Sequence, residues 1–263
     1  MSSSYIIQGG ETGRARLSVL SQAMAPWTGG LLDRAGSLVG LRVLDAGCGG
    51  GDVSRDLAVR VGPTGRVVGV DGDAVKIAAA EAADEGLANL AFHLGDATSP
   101  PGGPFDVIYA RFLLSHLTDV PAALAAFRGH LRLGGRVVIE DVDFSGHFVA
   151  PPLQAFDDYV AWYREAAWLR GADADIGPRL PGLIAAAGFV DVDAEAVNPA
   201  GLRGPVKQLA ALTLAGIAEA VIAEDIAGRD RVERAVADLQ AAADDPSVFM
   251  SLPRVVQVIA RAP

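Results

Sequence analysis

The chain of 263 residues predicts an open α/β fold: a doubly wound, mostly parallel sheet covered by helices on both faces. Three observations carry that expectation. Short apolar runs alternate with helix-length segments between residues 38 and 145, as a parallel sheet with crossover helices requires. The first run, Val43-Leu44-Asp45-Ala46, leads into Gly47-Cys48-Gly49-Gly50-Gly51 and then a stretch able to form a helix. The second, Val67 to Val70, ends in an acid, Asp71. Hydrophobic residues make up 51% of the chain, enough to bury both faces of such a sheet.

Taken in order, residues 5–11 read as a short arm, and 14–32 as a helix with Leu17, Leu20, Met24 and Leu31 as its apolar positions. The glycine turn lets backbone approach a ligand closely, because no Cβ intervenes. The helix expected over 52–61 points its free N–H groups at the same spot. A dinucleotide turn has the spacing G-x-G-x-x-G. Here glycines fall at 47, 49 and 51, and Asp52 stands where the third dinucleotide glycine belongs. A carboxylate there suits a cofactor without a pyrophosphate.

Asp71 stands 20 residues beyond Gly51, at the tip of the second strand, placed to accept from a ribose diol. Asp73 caps the next helix, with Gly86 as its stop. A third strand over 90–94 runs into Gly95-Asp96-Ala97, and a fourth over 105–110 is followed by residues 111–117. A helix over 120–131 carries Pro121 in its first turn, where proline is tolerated. The fifth strand is expected over 135–143. Ala150-Pro151-Pro152 then breaks the chain, and helical spacing resumes over 153–168. Seven of the chain's 16 aromatic residues lie between Phe144 and Trp168. That concentration suggests an apolar wall above the C-terminal edge of the sheet, where such folds bind ligands. A helix over 178–187 ending at Gly188, a strand over 189–197, helices within 205–243 and a last strand over 251–260 complete the pattern. The organisation expected is an N-terminal arm, 1–37, and one sheet domain, 38–263, with helical insertions at about 150–188 and 205–245.

The order D-A-G-C-G-G-G, V-D-G-D, G-D-A, F-D-V-I-Y-A and G-G-R-V-V-I-E-D closely resembles the class I S-adenosylmethionine-dependent methyltransferases over about residues 38–145. The resemblance implies a Rossmann-like sheet of seven strands, the last antiparallel, with S-adenosyl-L-methionine as cofactor and S-adenosyl-L-homocysteine as its product. It implies that Asp45, Gly47 and Gly49 line the methionine and ribose end. Asp71 would bind both ribose hydroxyls, with Gly72 beside the adenine. Asp96 would accept from the adenine amino group, and the Ala97 N–H would face a ring nitrogen. Ala110 and Arg111 would sit under the methionine moiety. The N-terminal segment would fold over as a lid, bringing Tyr5, Gln8 and Arg16 towards the methionine carboxylate.

Composition bounds the partners. A formal net charge of −10 argues against nucleic acid, which needs clustered Lys and Arg. The single cysteine, Cys48, permits no disulfide within the chain, which suits the cytoplasm, and reads as a small packing residue. His93, His116, His130 and His147 are scattered and lack Cys partners, so no metal is expected. No basic segment followed by an apolar one suggests a signal peptide. The apolar run 209–223 contains Glu219 and reads as too short for a bilayer. It is expected to be a packed helix, serving either the core or a homodimer interface.

The expected activity is methyl transfer to O, N or C of a small, apolar or aromatic metabolite. His116, six residues beyond the fourth strand, is the candidate general base. Glu140 and Asp141 point to opposite faces of their strand, so one of them is expected in the cleft, with Asp143 and His147 just beyond. Two alternatives stand beside this: a cofactor-binding protein on the same fold without transfer activity (a cyclase or regulator), and an NAD-dependent dehydrogenase. The 47-49-51 glycine spacing argues against the latter.

Overall fold

The computed structural model describes residues 10–83 and 86–263. Helix α1 (Gly10–Arg34) precedes β1 (Arg42–Ala46). After the glycine turn come α2 (Asp52–Val61), β2 (Arg66–Asp71), α3 (Ala74–Ala82), β3 (Leu90–Leu94), β4 (Phe105–Arg111), α4 (Val120–His130) and β5 (Leu131–Asp143). The C-terminal half holds β6 (Val149–Ala150), α5 (Gln154–Leu169), α6 (Leu180–Ala186), β7 (Val190–Val197), β8 (Ala200–Gly201), α7 (Pro205–Ala223), α8 (Arg229–Asp244), β9 (Phe249–Ser251) and β10 (Arg254–Arg261).

Seven strands form the main sheet in the order β3-β2-β1-β4-β5-β10-β7. The first five in that order pair in parallel, and β10 runs antiparallel to both its neighbours. Successive side chains along a strand point to opposite faces, and the core divides accordingly. Val43, Val67, Val107 and Val138 pack with Leu57 and Val61 of α2 on one face. Leu44, Val68, Ile108 and Val137 pack with Leu124 and Phe127 of α4 and Ile184 of α6 on the other. A third apolar cluster lies outside the sheet, joining Phe144 to α5, α7 and α8 through Tyr159, Trp162, Leu214, Ile217 and Leu239.

Local chemistry explains most boundaries. The Asp73 carboxylate accepts from the N–H groups of Val75 and Lys76, and Asp119 accepts from Ala122, so both helices begin on an aspartate cap. At α2 the capping residue is Gly51, left-handed at φ 77° and without a side-chain cap. The ring of Phe92 in β3 explains why glycine stands there. A Cβ on Gly51 would lie 2.5 Å from that ring, and one on Gly69 of β2 would lie 2.8 Å from it. The two glycines together vacate the volume that Phe92 fills.

Several boundaries differ from the sequence expectation. Helix α3 stops at Ala82, ahead of Gly86. Strand β5 starts at Leu131 because Leu131 pairs with Phe105 before the register shifts. The segment expected as one helix over 178–187 opens with a tight 3₁₀ turn, Gly177–Arg179, and only then enters α6. The run 251–260 is split, because Pro253 has no N–H to donate to a ladder. Phe249–Ser251 pairs instead with β6 and β8 in a small second sheet. Those strands of two or three residues are below what periodicity can reveal. Helix α7 also begins four residues before the apolar run that announced it. At 19 residues it is, by length and composition, long enough to cross a membrane, contrary to the sequence reading. Its inward face, including Leu214, Ile217 and Val221, is buried in the helical cluster.

Candidate functional site

The order of the sheet sets the place of the site. Strand β1 has β2 on one flank and β4 on the other, so the sheet grows in opposite directions from this point, and a crevice opens at the C-terminal ends of the strands. A cavity of about 630 Å³ occupies that crevice, within the roughly 300–1,000 Å³ usual for ligand sites. Asp45, Gly47, Gly49, Asp71, Gly72, Asp96, Ala97, Arg111 and His116 all line it. Arg16 lines it as well, while Tyr5 and Gln8 lie outside the described residues.

The polar end is built around Asp71. Its Oδ2 accepts from the Gly49 N–H at 2.9 Å and its Oδ1 from the Asp73 N–H at 2.9 Å, with Lys76 Nζ 3.9 Å away. A carboxylate has about four lone-pair positions, so each oxygen keeps one direction for an incoming hydroxyl. Gly49 is left-handed at φ 55°, and the nearest atom to a Cβ there would be Leu17 Cδ1 at 3.8 Å. Unlike Gly51, it has no crowding neighbour and lines the cavity, which is the property of a ligand cradle rather than of a tight packing contact.

Asp45 is buried, and its Oδ2 accepts from Ser54 Oγ at 2.5 Å. Burial raises its carboxyl from 3.8 to about 6, against the opposing pull of Ser54 and Arg111. Asp96 Oδ1 is taken by the N–H and hydroxyl of Thr98, both at 2.8 Å. The Cys48 thiol is pushed up by burial and by the Asp45 charge, which suits packing and not nucleophilic attack.

Arg111 approaches Thr28 of α1 at 3.5 Å and leans on the Phe112 ring, 5.9 Å from its centroid. Phe112 itself holds φ 52°, a conformation that costs a bulky residue about 1–3 kcal/mol. Its N–H is tied to the Glu140 carbonyl, so the strained residue is held in the lining of the cavity.

The far end is apolar. Phe144 and Tyr163 stack with centroids 4.0 Å apart, and Tyr159 lies edge-on to Phe144 at 6.1 Å. Val142, Leu209, Ala210, Leu252 and Val255 complete this wall. Sequence reasoning located the aromatic segment but missed Lys76, Leu113 and the residues that α7 and the β9–β10 turn contribute. Only Lys76 carried a signal, as a cation within the first turn after the acidic tip of β2. The N-terminal helix closes the roof: Arg16, Leu17 and Leu20 line the cavity, and Arg16 Nε donates to Thr213 of α7 at 2.9 Å.

Two expectations about the acids need correction. Neither Glu140 nor Asp141 lines the cavity. Glu140 is fully buried and accepts from Thr28 Oγ1, from the Tyr109 hydroxyl and from Gln257 Nε2. Asp141 accepts from the backbone of Ser115 and Val142 and so holds the turn that carries His116; burial raises its carboxyl to about 6. Their side chains serve the frame because β5 is central and covered on both faces. His116 does reach the cavity, and desolvation, with Arg16 and Lys76 nearby, lowers it to about 3. Among the described residues, no three of His, Cys, Asp and Glu converge as a metal site would require.

Comparison with known proteins bears on the family and the fold. Residues 38–167 match the family described as a methyltransferase domain. The chain is 42% identical over 111 residues to nocamycin O-methyltransferase of Saccharothrix syringae, covering 41% of this chain and 40% of that protein. It is 32% identical over 186 residues to the demethylmenaquinone methyltransferase of Lactococcus lactis subsp. lactis, covering 64% of this chain and 73% of that one. Among solved structures, phosphoethanolamine N-methyltransferase 2 of Haemonchus contortus, in complex with S-adenosyl-L-methionine, superposes with a TM-score of 0.53 at 19% identity. The match covers 99% of this chain but 54% of that one, and shows the fold alone.

Proposed function

Since this chain belongs to the class I S-adenosylmethionine-dependent methyltransferases, we propose that it moves a methyl group from S-adenosyl-L-methionine to an O, N or C atom of a small, apolar or aromatic metabolite. The observation that carries the reading is one continuous cavity with two chemistries. Acids and bare glycine backbone line one end and stacked aromatic rings line the other.

The residues at the polar end fit the donor. Asp71 keeps acceptor positions for two ribose hydroxyls, and the open space over Gly49 admits a sugar that a side chain would exclude. Asp45, ionised, would pair with the ammonium group of the methionine end, and Asp96 would accept from the adenine amino group. Bound there, the donor supplies a sulfonium methyl group open to direct displacement. The protein's part is to hold the acceptor in line and to exclude water, and orientation of that kind can lower a barrier by several kcal/mol. The aromatic wall does the holding, and α1, fixed to α7 by Arg16 and Thr213, does the excluding.

His116 stays in this reading as a neutral hydrogen-bonding group beside the reacting centre. At a pKa of about 3 it is a weak proton acceptor at neutral pH. The net charge of −10 supports a small molecule and not a nucleic acid as acceptor, and the single buried cysteine supports a cytoplasmic setting. Calorimetry with S-adenosyl-L-homocysteine tests the donor half, and a screen of acceptors with isotopically labelled donor tests transfer. Absence of heat with both the donor and its demethylated product would overturn the reading.

A further inference from the structure

The His147 backbone closes the turn Phe144–Gly146 by donating to the Phe144 carbonyl, but its imidazole forms no hydrogen bond among the described residues. Its ring lines the cavity, beyond the end of β5, among three aromatic side chains. Phe144 lies edge-on to it at 4.8 Å, Phe156 at 5.4 Å and Tyr159 at 5.6 Å between centroids. Both imidazole nitrogens are buried, and among the described residues neither has a hydrogen-bond partner. A buried polar group without a partner calls for an explanation, and a ligand that supplies the partner is one.

We propose that His147 selects the acceptor, by hydrogen-bonding a hydroxyl group carried on an aromatic ring system that packs against Phe144 and Tyr159. The inference rests on the methyltransferase reading and assigns its substrate class: hydroxylated aromatics. Burial lowers His147 to about 3 against the opposing pull of the Asp143 charge, so the side chain is neutral, with one N–H to donate and one nitrogen to accept. A hydroxyl group is complementary to either. A hydrocarbon of the same shape would leave the imidazole unsatisfied and would be rejected on that account. His147 thus acts as a specificity residue in an otherwise apolar chamber, whereas His116 lies in the electrostatic reach of Arg16 and Lys76.

The test compares binding of 2-naphthol and naphthalene to the protein saturated with S-adenosyl-L-homocysteine. The wild type is expected to prefer 2-naphthol by about tenfold or more, a hydrogen bond's worth of discrimination. In His147→Phe, which keeps an aromatic ring in the cage, the preference should fall below about threefold, and His147→Gln should restore part of it. Affinity for S-adenosyl-L-homocysteine should be unchanged in both variants, which also reports that they fold. If the wild type shows no preference, or if the preference survives in His147→Phe, the inference is overturned while the donor-binding reading stands. If S-adenosyl-L-homocysteine itself fails to bind the wild type, the reading of function falls first and the inference with it.

Discussion

In the proposed reading donor binding turns on Asp71, because it orders the glycine turn and lines the cavity at once. Replacing it with alanine removes the acceptor of the Gly49 and Asp73 N–H groups as well as that of the ribose. Hydrogen bonds to a charged group are worth about 1.5–3 kcal/mol each, so affinity for S-adenosyl-L-homocysteine should fall at least about tenfold, read by calorimetry. Gly49→Ala separates the two duties. The space above Gly49 is open, so the cost to stability should be about 1–2 kcal/mol from the left-handed backbone alone, while donor affinity is lost. Thermal melts and calorimetry on the same sample distinguish these effects.

Asp45 gives a pH dependence with a definite sign. Its folded pKa of about 6 lies above the ordinary 3.8, so the folded protein holds this proton more tightly than the unfolded chain does. The associated stability is present below about pH 4 and lost as pH rises through 6. Asp45→Asn lacks this loss, so its stability relative to wild type should improve from pH 4.5 to 7.5, by at most on the order of 3 kcal/mol. Binding of a cationic ammonium group runs the other way, since it favours the carboxylate. Wild-type affinity for S-adenosyl-L-homocysteine should therefore strengthen as pH rises through 6, and the Asn variant should flatten that profile.

Among the elements, α1 is the one that ties the roof of the site to the sheet. Thr28 is buried and donates to Glu140 of β5, which also receives Tyr109 of β4 and Gln257 of β10. Thr28→Val keeps the shape and removes the donor, and should cost about 1–3 kcal/mol, with a fall in melting temperature of roughly 2–4 °C per kcal/mol. The five parallel strands and the helices between them were legible in the sequence because each has its own apolar period and its own punctuation, as at Asp73 and Pro121. That Asp45, Asp71 and Asp96 line the cavity was legible for a related reason: they sit at strand tips, where local sequence decides geometry. The role of Glu140 was not. Its partners lie 31, 112 and 117 residues away, and no local pattern announces such a junction. The two- and three-residue strands of the small sheet were hidden for the same reason, since only tertiary pairing defines them.

At the scale of the whole molecule, donor binding and folding should be coupled. A ligand present at 100 times its dissociation constant adds about 2.7 kcal/mol to stability, which for a chain of this size is a rise in melting temperature of roughly 5–11 °C. The residues of α1 that line the cavity should share in it. Amide exchange around Arg16, Leu17 and Leu20 should slow when S-adenosyl-L-homocysteine binds, and Thr213→Val, which releases Arg16, should weaken that protection.

The volume shared by Gly51, Gly69 and Phe92 has a consequence for how this sequence can drift. No one of the three positions can change size alone: a methyl group at either glycine collides with the ring, and a smaller side chain at 92 leaves a hole beneath the donor-binding turn. Descent through single substitutions is blocked there, and only compensating exchanges are open. Phe92→Leu, costly by itself, should relieve the part of the Gly69→Ala clash that the ring causes and leave the 3.0 Å approach to Ser54 Oγ, so the pair of changes should destabilise the protein less than the sum of the two alone.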